Sequence, residues 1–119
     1  MKITEIRLGT MSVPLRVPFK TALRRVDSVE DVIVEIRTDT GAVGYGEAPP
    51  TGAVTGDTTG AVIGAVRDHI AKSLIGRDVD ELEDLLQTVQ SCVVKNTSAK
   101  AAADMALWDL YGQLYGIPV

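Results

Sequence analysis

The hydrophobic pattern of the sequence changes its period once, near residue 57, and this change constrains the fold more than any other feature. Before that point apolar and polar residues alternate, as in Met11-Ser12-Val13, which is the pattern of a half-buried strand. After it, apolar residues recur every three or four positions, as on the buried stripe of a helix. Strands followed by helices, rather than alternating with them, predict an α+β domain.

The alternating part predicts three strands. The first runs from Ile6 to Val17, and Gly9 is expected to introduce a bend or bulge into it. The second covers residues 29–38, and the turn residues 39–41 lead to a third strand, in which residues 43 and 45 resume the period of two. These segments predict a three-stranded antiparallel meander with one face open to water and one face that needs cover.

The second part predicts helices that supply this cover. The first helix has a strict spacing of four between its apolar residues and ends at Gly76, with Asp57 or Thr58 as its N-cap. The second begins at Asp80 and Glu83, which resemble a capping box, and carries the clearest apolar stripe. The stripes consist of Val62, Val66, Ile70 and Leu74 in the first helix and of Leu82, Leu85, Leu86, Val89 and Val93 in the second.

A third helix is expected between Ser98, as its cap, and Gly116, with Pro118 beyond to prevent continuation. Its alanines form a small-residue face that lets another backbone come close. Sheet and helices together predict one domain, with the sheet over about residues 1–47 and a bundle of about three helices over about 58–116. The alanines of the small-residue face are Ala99, Ala102, Ala103 and Ala106.

Composition and charge argue against several classes of partner. Twelve basic and sixteen acidic residues give a net charge of -4, which opposes binding to nucleic acid or to an anionic membrane. No stretch approaches the ~18 apolar residues of a membrane span, and no signal peptide is visible, so the cytoplasm is the expected compartment. The single cysteine, Cys92, lies on an apolar stripe and is interpreted as buried filler.

The last residues, 117–119, are apolar and follow a helix terminator, where a new buried element would normally begin. This pattern indicates a truncated protein. The alanine-rich face of the third helix, Trp108 and residues 117–119 have no obvious partner in the predicted fold. We therefore expect self-association or homo-oligomer formation.

The ionisable residues of the helices do not form a convincing catalytic group. His69 has no serine or cysteine placed for activation and is interpreted as a structural histidine. The acidic cluster over residues 78–84 could suggest a cation site, but acidic residues at a helix N-terminus are equally well explained by their interaction with the helix dipole. Asp104 and Asp109 are five positions apart and are interpreted as structural, whereas Gly41, Gly44 and Gly46 lack the lysine and helix of a phosphate loop.

Two loops remain as candidates for recognition. The first, residues 19–28, is expected to be mobile and combines the cations Lys20, Arg24 and Arg25 with apolar residues, which suits a carboxylate on an organic skeleton. The alternative, a solvated connection, is equally compatible with this composition. The second, residues 48–57, joins a stiff Pro-Pro segment to a pliable Gly-rich one, as in a lid anchored at one end.

A resemblance adds to this interpretation. The segments IRLxxMxVPLxxPFKTALR, VIVEIRTDTGAVGYGEAPPTxxVTGD and SAKAAADMALWDLYGQLYGIPV resemble the start of enolase-superfamily enzymes of the muconate-lactonising subgroup, and most closely the dipeptide epimerases that act on L-Ala-D/L-Glu. The resemblance covers essentially the whole chain. The combination of PFKTALR with GEAPP and TGD is much more specific than any of these pieces, since GEAPP alone indicates only the superfamily.

The resemblance implies an enolase N-terminal-like capping domain that closes over a (β/α) barrel, which is absent from this chain. In such enzymes the barrel carries the catalytic lysines and three carboxylates that hold Mg²⁺. The reaction is removal of a proton next to a carboxylate, followed by its return. The resemblance therefore predicts no catalytic residue and no metal ligand in this chain, and an inactive fragment.

The same resemblance suggests which residues select the substrate, an acidic dipeptide. Arg24 stands at the arginine of PFKTALR and is expected to pair with the side-chain carboxylate of the substrate glutamate. Phe19, Thr21 and Val54 are expected to line the same pocket. Because Arg25 adjoins Arg24, either arginine could meet the ligand.

Two alternatives stay open. The chain could be the cap of another subgroup member, an o-succinylbenzoate synthase or a muconate cycloisomerase, with the fold and Mg²⁺ unchanged. It could also be a free-standing α+β module that binds an anionic ligand or a protein partner through its basic loop. Barrel residues would separate the enzymes, and unaided binding by a monodisperse 119-residue protein would favour the module.

Overall fold

The computed structural model describes residues 1–20, 25–48 and 58–119, with side chains for residues 1–11, 31–48 and 58–119. The predicted α+β class is confirmed, since strands come first and helices follow. The strands are β1 (Ile3–Lys20), β2 (Arg25–Thr38) and β3 (Val43–Ala48). The helices are α1 (Thr59–Ala65), α2 (Ala71–Leu74), α3 (Leu82–Ser91) and α4 (Thr97–Tyr115), with a π turn (Val66–Ile70) between α1 and α2 and a 3-10 turn (Val79–Glu81) before α3.

The described strands form the predicted antiparallel meander, in the order β1-β2-β3. The bulge expected at Gly9 is wrong, because Gly9 pairs with Ile33 in a regular ladder. The register shifts instead between Ile3 and Glu5 and between Pro14 and Phe19. A physical reason for the second shift is that Pro14 and Pro18 have no N–H to donate to the ladder.

The β1-β2 ribbon continues well beyond the third strand. β3 ends where Ala48 pairs with Val32, whereas β1 and β2 stay paired as far as Lys20 and Arg25. At about 3.3 Å per residue, the ribbon extends roughly 23 Å past the end of β3. Residues 19–20 and 25–28 of the predicted loop 19–28 therefore belong to strands.

One face of the sheet is buried, as predicted. Val32, Val34 and Ile36 of β2 are each 0% exposed, and their neighbours in sequence point to the other face. In β3, the residues on the buried face are Gly44, Gly46 and Ala48, while Tyr45 is exposed. The strand thus presents two glycines and one alanine, rather than large apolar side chains, to the helices.

The first helical segment follows its prediction closely. Its four stripe residues, spaced by four, are all buried. The side chain of Thr58 accepts a hydrogen bond from the backbone N–H of Ala61 at 3.1 Å, so Thr58, and not Asp57, is the N-cap. The segment ends near Gly76, whose φ is +91°. The stripe residues are Val62, Val66, Ile70 and Leu74.

The apolar stripe of the second helix is confirmed in part, and its predicted capping box is wrong. Leu82, Leu85 and Val89 are buried, whereas Leu86 is half-buried. Val93 is wrongly included in the stripe, because α3 ends at Ser91. The chain first makes a 3-10 turn, in which Oδ1 of Asp78 accepts from the N–H of Asp80 at 2.9 Å. Because α3 begins only after this turn, Asp80 lies within the turn and cannot cap the helix.

The third predicted helix is α4, which begins two residues earlier than expected. Asn96, with φ of 53°, occupies the cap position, and Ser98 lies in the first turn, so the prediction of Ser98 as the cap is wrong. Gly116 ends the helix in the left-handed conformation, as predicted. Nζ of Lys100 donates to the carbonyl oxygen of Gln90 at 2.9 Å and thereby ties α4 to the end of α3.

The alanine-rich face of α4 packs on β3 inside the domain, so the expectation that it lacks a partner is wrong. A Cβ built on Gly46 would lie 2.7 Å from the carbonyl carbon of Ala102, and one on Gly44 would lie 2.6 Å from Cγ of Leu110. Ala102 is 0% exposed. The small-residue face does let another backbone come close, as predicted, and that backbone is β3.

Candidate functional site

The structure describes only part of the predicted recognition site. Phe19 lies in β1, where its backbone pairs with that of Val26. Thr21, Arg24 and Val54 lie outside the described residues. Their roles in recognition stay predictions.

Both recognition loops leave the sheet toward the same end. The β1-β2 ribbon points to residues 21–24, and β3 runs antiparallel to β2, so Ala48 faces that end as well. Ala48 is 1% exposed, and Thr58 caps α1, so the chain is anchored on each side of residues 49–57. The fold thus fixes where the second loop begins and ends.

The outer edge of β3 is bonded to side chains of α4. The N–H of Tyr45 donates to Oδ2 of Asp109 at 2.9 Å, and Nε2 of Gln113 donates to the carbonyl oxygen of Val43 at 2.9 Å. Nε2 of Gln113 also donates to Oδ1 of Asp109 at 3.2 Å. Asp109 is therefore structural, as the sequence indicated, but its partner on β3 could not be read from the sequence.

The acidic cluster is used in contacts between elements. The N-terminal ammonium lies 3.9 Å from Oδ1 of Asp78, and the hydroxyl of Tyr115 donates to Oδ1 of Asp80. This hydrogen bond raises the pKa of Tyr115 to about 12. Among the residues that the structure describes, no group of three or more His, Cys, Asp or Glu side chains is arranged to hold a metal ion.

The exposed face of the sheet carries paired charges. Nε of Arg7 lies 2.8 Å from Oε1 of Glu5, and this hydrogen bond lowers the pKa of Glu5 below its usual value. Nη2 of Arg37 lies 3.2 Å from Oε2 of Glu35. Each of these two cations already has an anionic partner, so this part of the face, among the side chains that the structure describes, does not resemble an anion-binding site.

Of two further predictions about single residues, that for His69 agrees with the structure and that for Cys92 does so only in part. His69 is exposed, as expected of a histidine without a catalytic partner. Cys92 follows the last residue of α3 and is half-buried rather than buried. Its burial raises the pKa of the thiol, which disfavours the reactive thiolate. Within the described ranges, no helix is long and apolar enough to cross a membrane.

An antiparallel meander covered by three helical segments defines this chain as an α+β domain of the enolase N-terminal capping type. Residues 3–119 match the family model for the mandelate racemase / muconate lactonizing enzyme N-terminal domain. The chain belongs to this family.

Individual relatives agree with this assignment. The chain is 54% identical to an L-Ala-D/L-Glu epimerase of Clostridium acetobutylicum, over 100% of this chain and 33% of that protein. A substrate-liganded L-Ala-D/L-Glu epimerase from Bacillus subtilis superposes with a TM-score of 0.92 at 44% identity, over 97% of this chain and 32% of that one. A dipeptide epimerase from Methylococcus capsulatus, complexed with Mg and L-Arg-D-Lys, gives a TM-score of 0.87 at 38% identity, over 98% and 33%.

The chain is shorter than these relatives. It spans about a third of the length of the relatives that it matches. The part that it matches is the N-terminal domain of the family.

Proposed function

We propose that this chain is the capping, substrate-selecting part of a dipeptide epimerase that acts on L-Ala-D/L-Glu. The observation that supports this most strongly is the 54% identity, over the whole chain, to an epimerase of that specificity. The reaction would be removal of a proton next to a carboxylate and its return from the opposite side. A barrel domain outside this chain would be the partner that carries the chemistry, and this chain alone would be inactive.

Within this proposal, the loop around residues 19–28 and the loop over residues 48–57 form the wall of the closed site. Arg24 pairs with the side-chain carboxylate of the substrate glutamate, while Phe19, Thr21 and Val54 line the pocket. A charge-assisted hydrogen bond in a dry site contributes on the order of 1.5 to 3 kcal/mol. The sequence motif PFKTALR and the anchored ends of the second loop support this assignment.

Mg²⁺ is the proposed cofactor of the complete enzyme. The support is a relative, the Methylococcus capsulatus epimerase, whose structure contains Mg and a dipeptide. The described residues of this chain do not offer a cluster of ligands that fits the ion. We therefore assign the metal to the barrel, and this chain contributes selection and exclusion of water. We further propose a cytoplasmic enzyme that forms homo-oligomers.

A second candidate is the cap of another member of the muconate-lactonising subgroup. The family model itself covers both mandelate racemases and muconate lactonizing enzymes, so the fold is compatible with several substrates. The similarity to an epimerase with a basic dipeptide likewise indicates that this cap fold accepts other side chains. The substrate must therefore be decided by assay.

The deciding experiment is turnover by the complete enzyme in D₂O with Mg²⁺. Proton NMR of L-Ala-L-Glu should show loss of the α-proton signal of the glutamate residue and growth of the L-Ala-D-Glu signals. L-Lys-L-Arg serves as the comparison substrate, and we expect much slower exchange with it. Absence of exchange with L-Ala-L-Glu, together with turnover of a muconate lactone, would replace this proposal by the second candidate.

A further inference from the structure

β3 is held by few side chains of its own. It has six residues, and the positions that face the helices are Gly44, Gly46 and Ala48. β3 is paired with β2 from Val43 to Ala48, and this pairing bonds its inner edge. Glycine buries little apolar area and has no side chain to interlock with a neighbour, so side-chain packing adds little to hold the outer edge of the strand.

Asp109 and Gln113 of α4 contact the outer edge of β3, and we call this pair the edge clamp. An edge strand presents outward N–H and C=O groups that a further strand would satisfy. Here the carboxylate of Asp109 accepts from the N–H of Tyr45 and the amide of Gln113 donates to the C=O of Val43, both at 2.9 Å. The clamp thus takes the place of one residue of a neighbouring strand.

The two clamp residues also fix each other. They are four positions apart, which places them on the same side of α4, and they are joined by a 3.2 Å hydrogen bond. Because one end of that bond is a carboxylate, the amide of Gln113 is oriented with its nitrogen toward β3. The rigid helix therefore sets the position of the strand through directional bonds.

We propose that Asp109 and Gln113 are positioning residues for substrate selection, because they fix β3 and hence the point, Ala48, from which the chain enters the second recognition loop. This inference rests on the proposed function, since it assumes that the loop borders the substrate. Displacement of a loop base by about 1 Å weakens the contacts that the loop makes with its ligand. The clamp residues themselves do not touch the substrate.

The test uses the complete enzyme with the variants Gln113→Ala and Asp109→Ala. Hydrogen exchange of the peptide that covers residues 43–48 should become at least tenfold faster, and KM for L-Ala-L-Glu should rise roughly 3- to 30-fold, while kcat stays within about twofold. Asp104→Ala removes a carboxylate from the same helix and should change neither quantity. Asp109→Asn keeps a side-chain oxygen that can accept from the N–H of Tyr45. Its exchange rate and its KM should therefore lie closer to the wild-type values than those of Asp109→Ala.

Each outcome decides the inference. Unchanged exchange in both alanine variants would show that the clamp does not hold β3, and faster exchange with unchanged KM would show that β3 does not position the loop. If Asp109→Ala fails to fold, the exchange rate and KM of Gln113→Ala are compared with those of Asp109→Asn. If Gln113→Ala fails to fold, Asp109→Ala is compared with Asp109→Asn instead. Wild-type enzyme without epimerase activity would overturn the proposed function and, with it, the role in selection, whereas exchange alone would still report on the clamp.

Discussion

Gly46 is the residue at which the sheet and α4 come closest. A methyl group there would lie 2.7 Å from the carbonyl carbon of Ala102 and nearer still to the carbonyl oxygen. Backbone atoms cannot move aside as a flexible side chain can, so the strand and the helix must separate to admit it.

We therefore expect Gly46→Ala to lower the free energy of unfolding by about 2 to 4 kcal/mol, because it overpacks a backbone contact. Gly9→Ala is the matched control, since within the described residues a Cβ at Gly9 meets no atom within 4 Å. That control should be neutral or stabilising by up to about 1 kcal/mol. Urea unfolding followed by circular dichroism measures both changes, and equal midpoints for the two variants would contradict the close approach.

Tyr115 gives a spectroscopic test of the contact between the end of α4 and the turn before α3. Its hydroxyl donates to Asp80, and this raises its pKa from 10.0 to about 12. Since the folded pKa lies above the unfolded one, the stabilisation is complete below about pH 10 and disappears as the pH rises through about 12.

Titration of phenolate absorbance should accordingly contain a phase near pH 12 that is missing in Tyr115→Phe and moves to lower pH in Asp80→Asn. Trp108→Phe, a change on the same helix that leaves this hydrogen bond intact, is the control. If the wild-type titration curve equals that of Tyr115→Phe plus one tyrosine of ordinary pKa, the contact with Asp80 is excluded.

Among the elements, the first helical segment shows how a sequence spacing can encode an irregularity. Apolar residues exactly four apart drift by about 40° per step around a regular α-helix, because each residue turns about 100°. Val62 and Leu74 would then lie about 120° apart, yet both are buried. The π turn over Val66–Ile70 turns less per residue and brings the stripe back to one face.

The start of this segment offers a simple measurement at the scale of an element. Thr58→Ala removes the side chain that accepts from the N–H of Ala61 and should cost about 1 kcal/mol of stability. Thr59→Ala, one residue later and already inside α1, should change stability by less than about 0.5 kcal/mol. Equal losses in thermal or urea unfolding would assign the cap to a different residue.

The packing of α4 on β3 is the element contact that the sequence pattern did not predict. Glycine carries no hydrophobic signal. The alternation in this strand is therefore visible in the sequence only at Val43 and Tyr45, which lie on the face away from the helices. A spacing rule would have identified the contact. The distance along a strand between residues two apart is about 6.6 Å, and the distance along a helix between residues four apart is about 6 Å. The spacing of Gly44 and Gly46 on β3 is therefore close to that of Ala106 and Ala102 on α4.

At the scale of the whole molecule, the fold class and the order of elements follow from periodicity and turn residues. The caps were predicted less well, because Asp57, Asp80 and Ser98 each lie within two residues of the residue that occupies the cap, and residue type alone does not distinguish neighbouring positions. The recognition residues could be proposed only from the resemblance. A loop arginine has no periodic signature, and its proposed role depends on a ligand rather than on packing within the chain.

We propose that this domain selects an acidic dipeptide through Arg24. The ratio of kcat/KM for L-Ala-L-Glu to that for L-Ala-L-Gln in the complete enzyme measures this selection. Arg24→Ala should lower this ratio about 10- to 100-fold, as expected for loss of a charged hydrogen bond, and Arg25→Ala should leave it within about threefold of wild type. An Arg24→Ala enzyme that loses activity equally toward both dipeptides would contradict the claim.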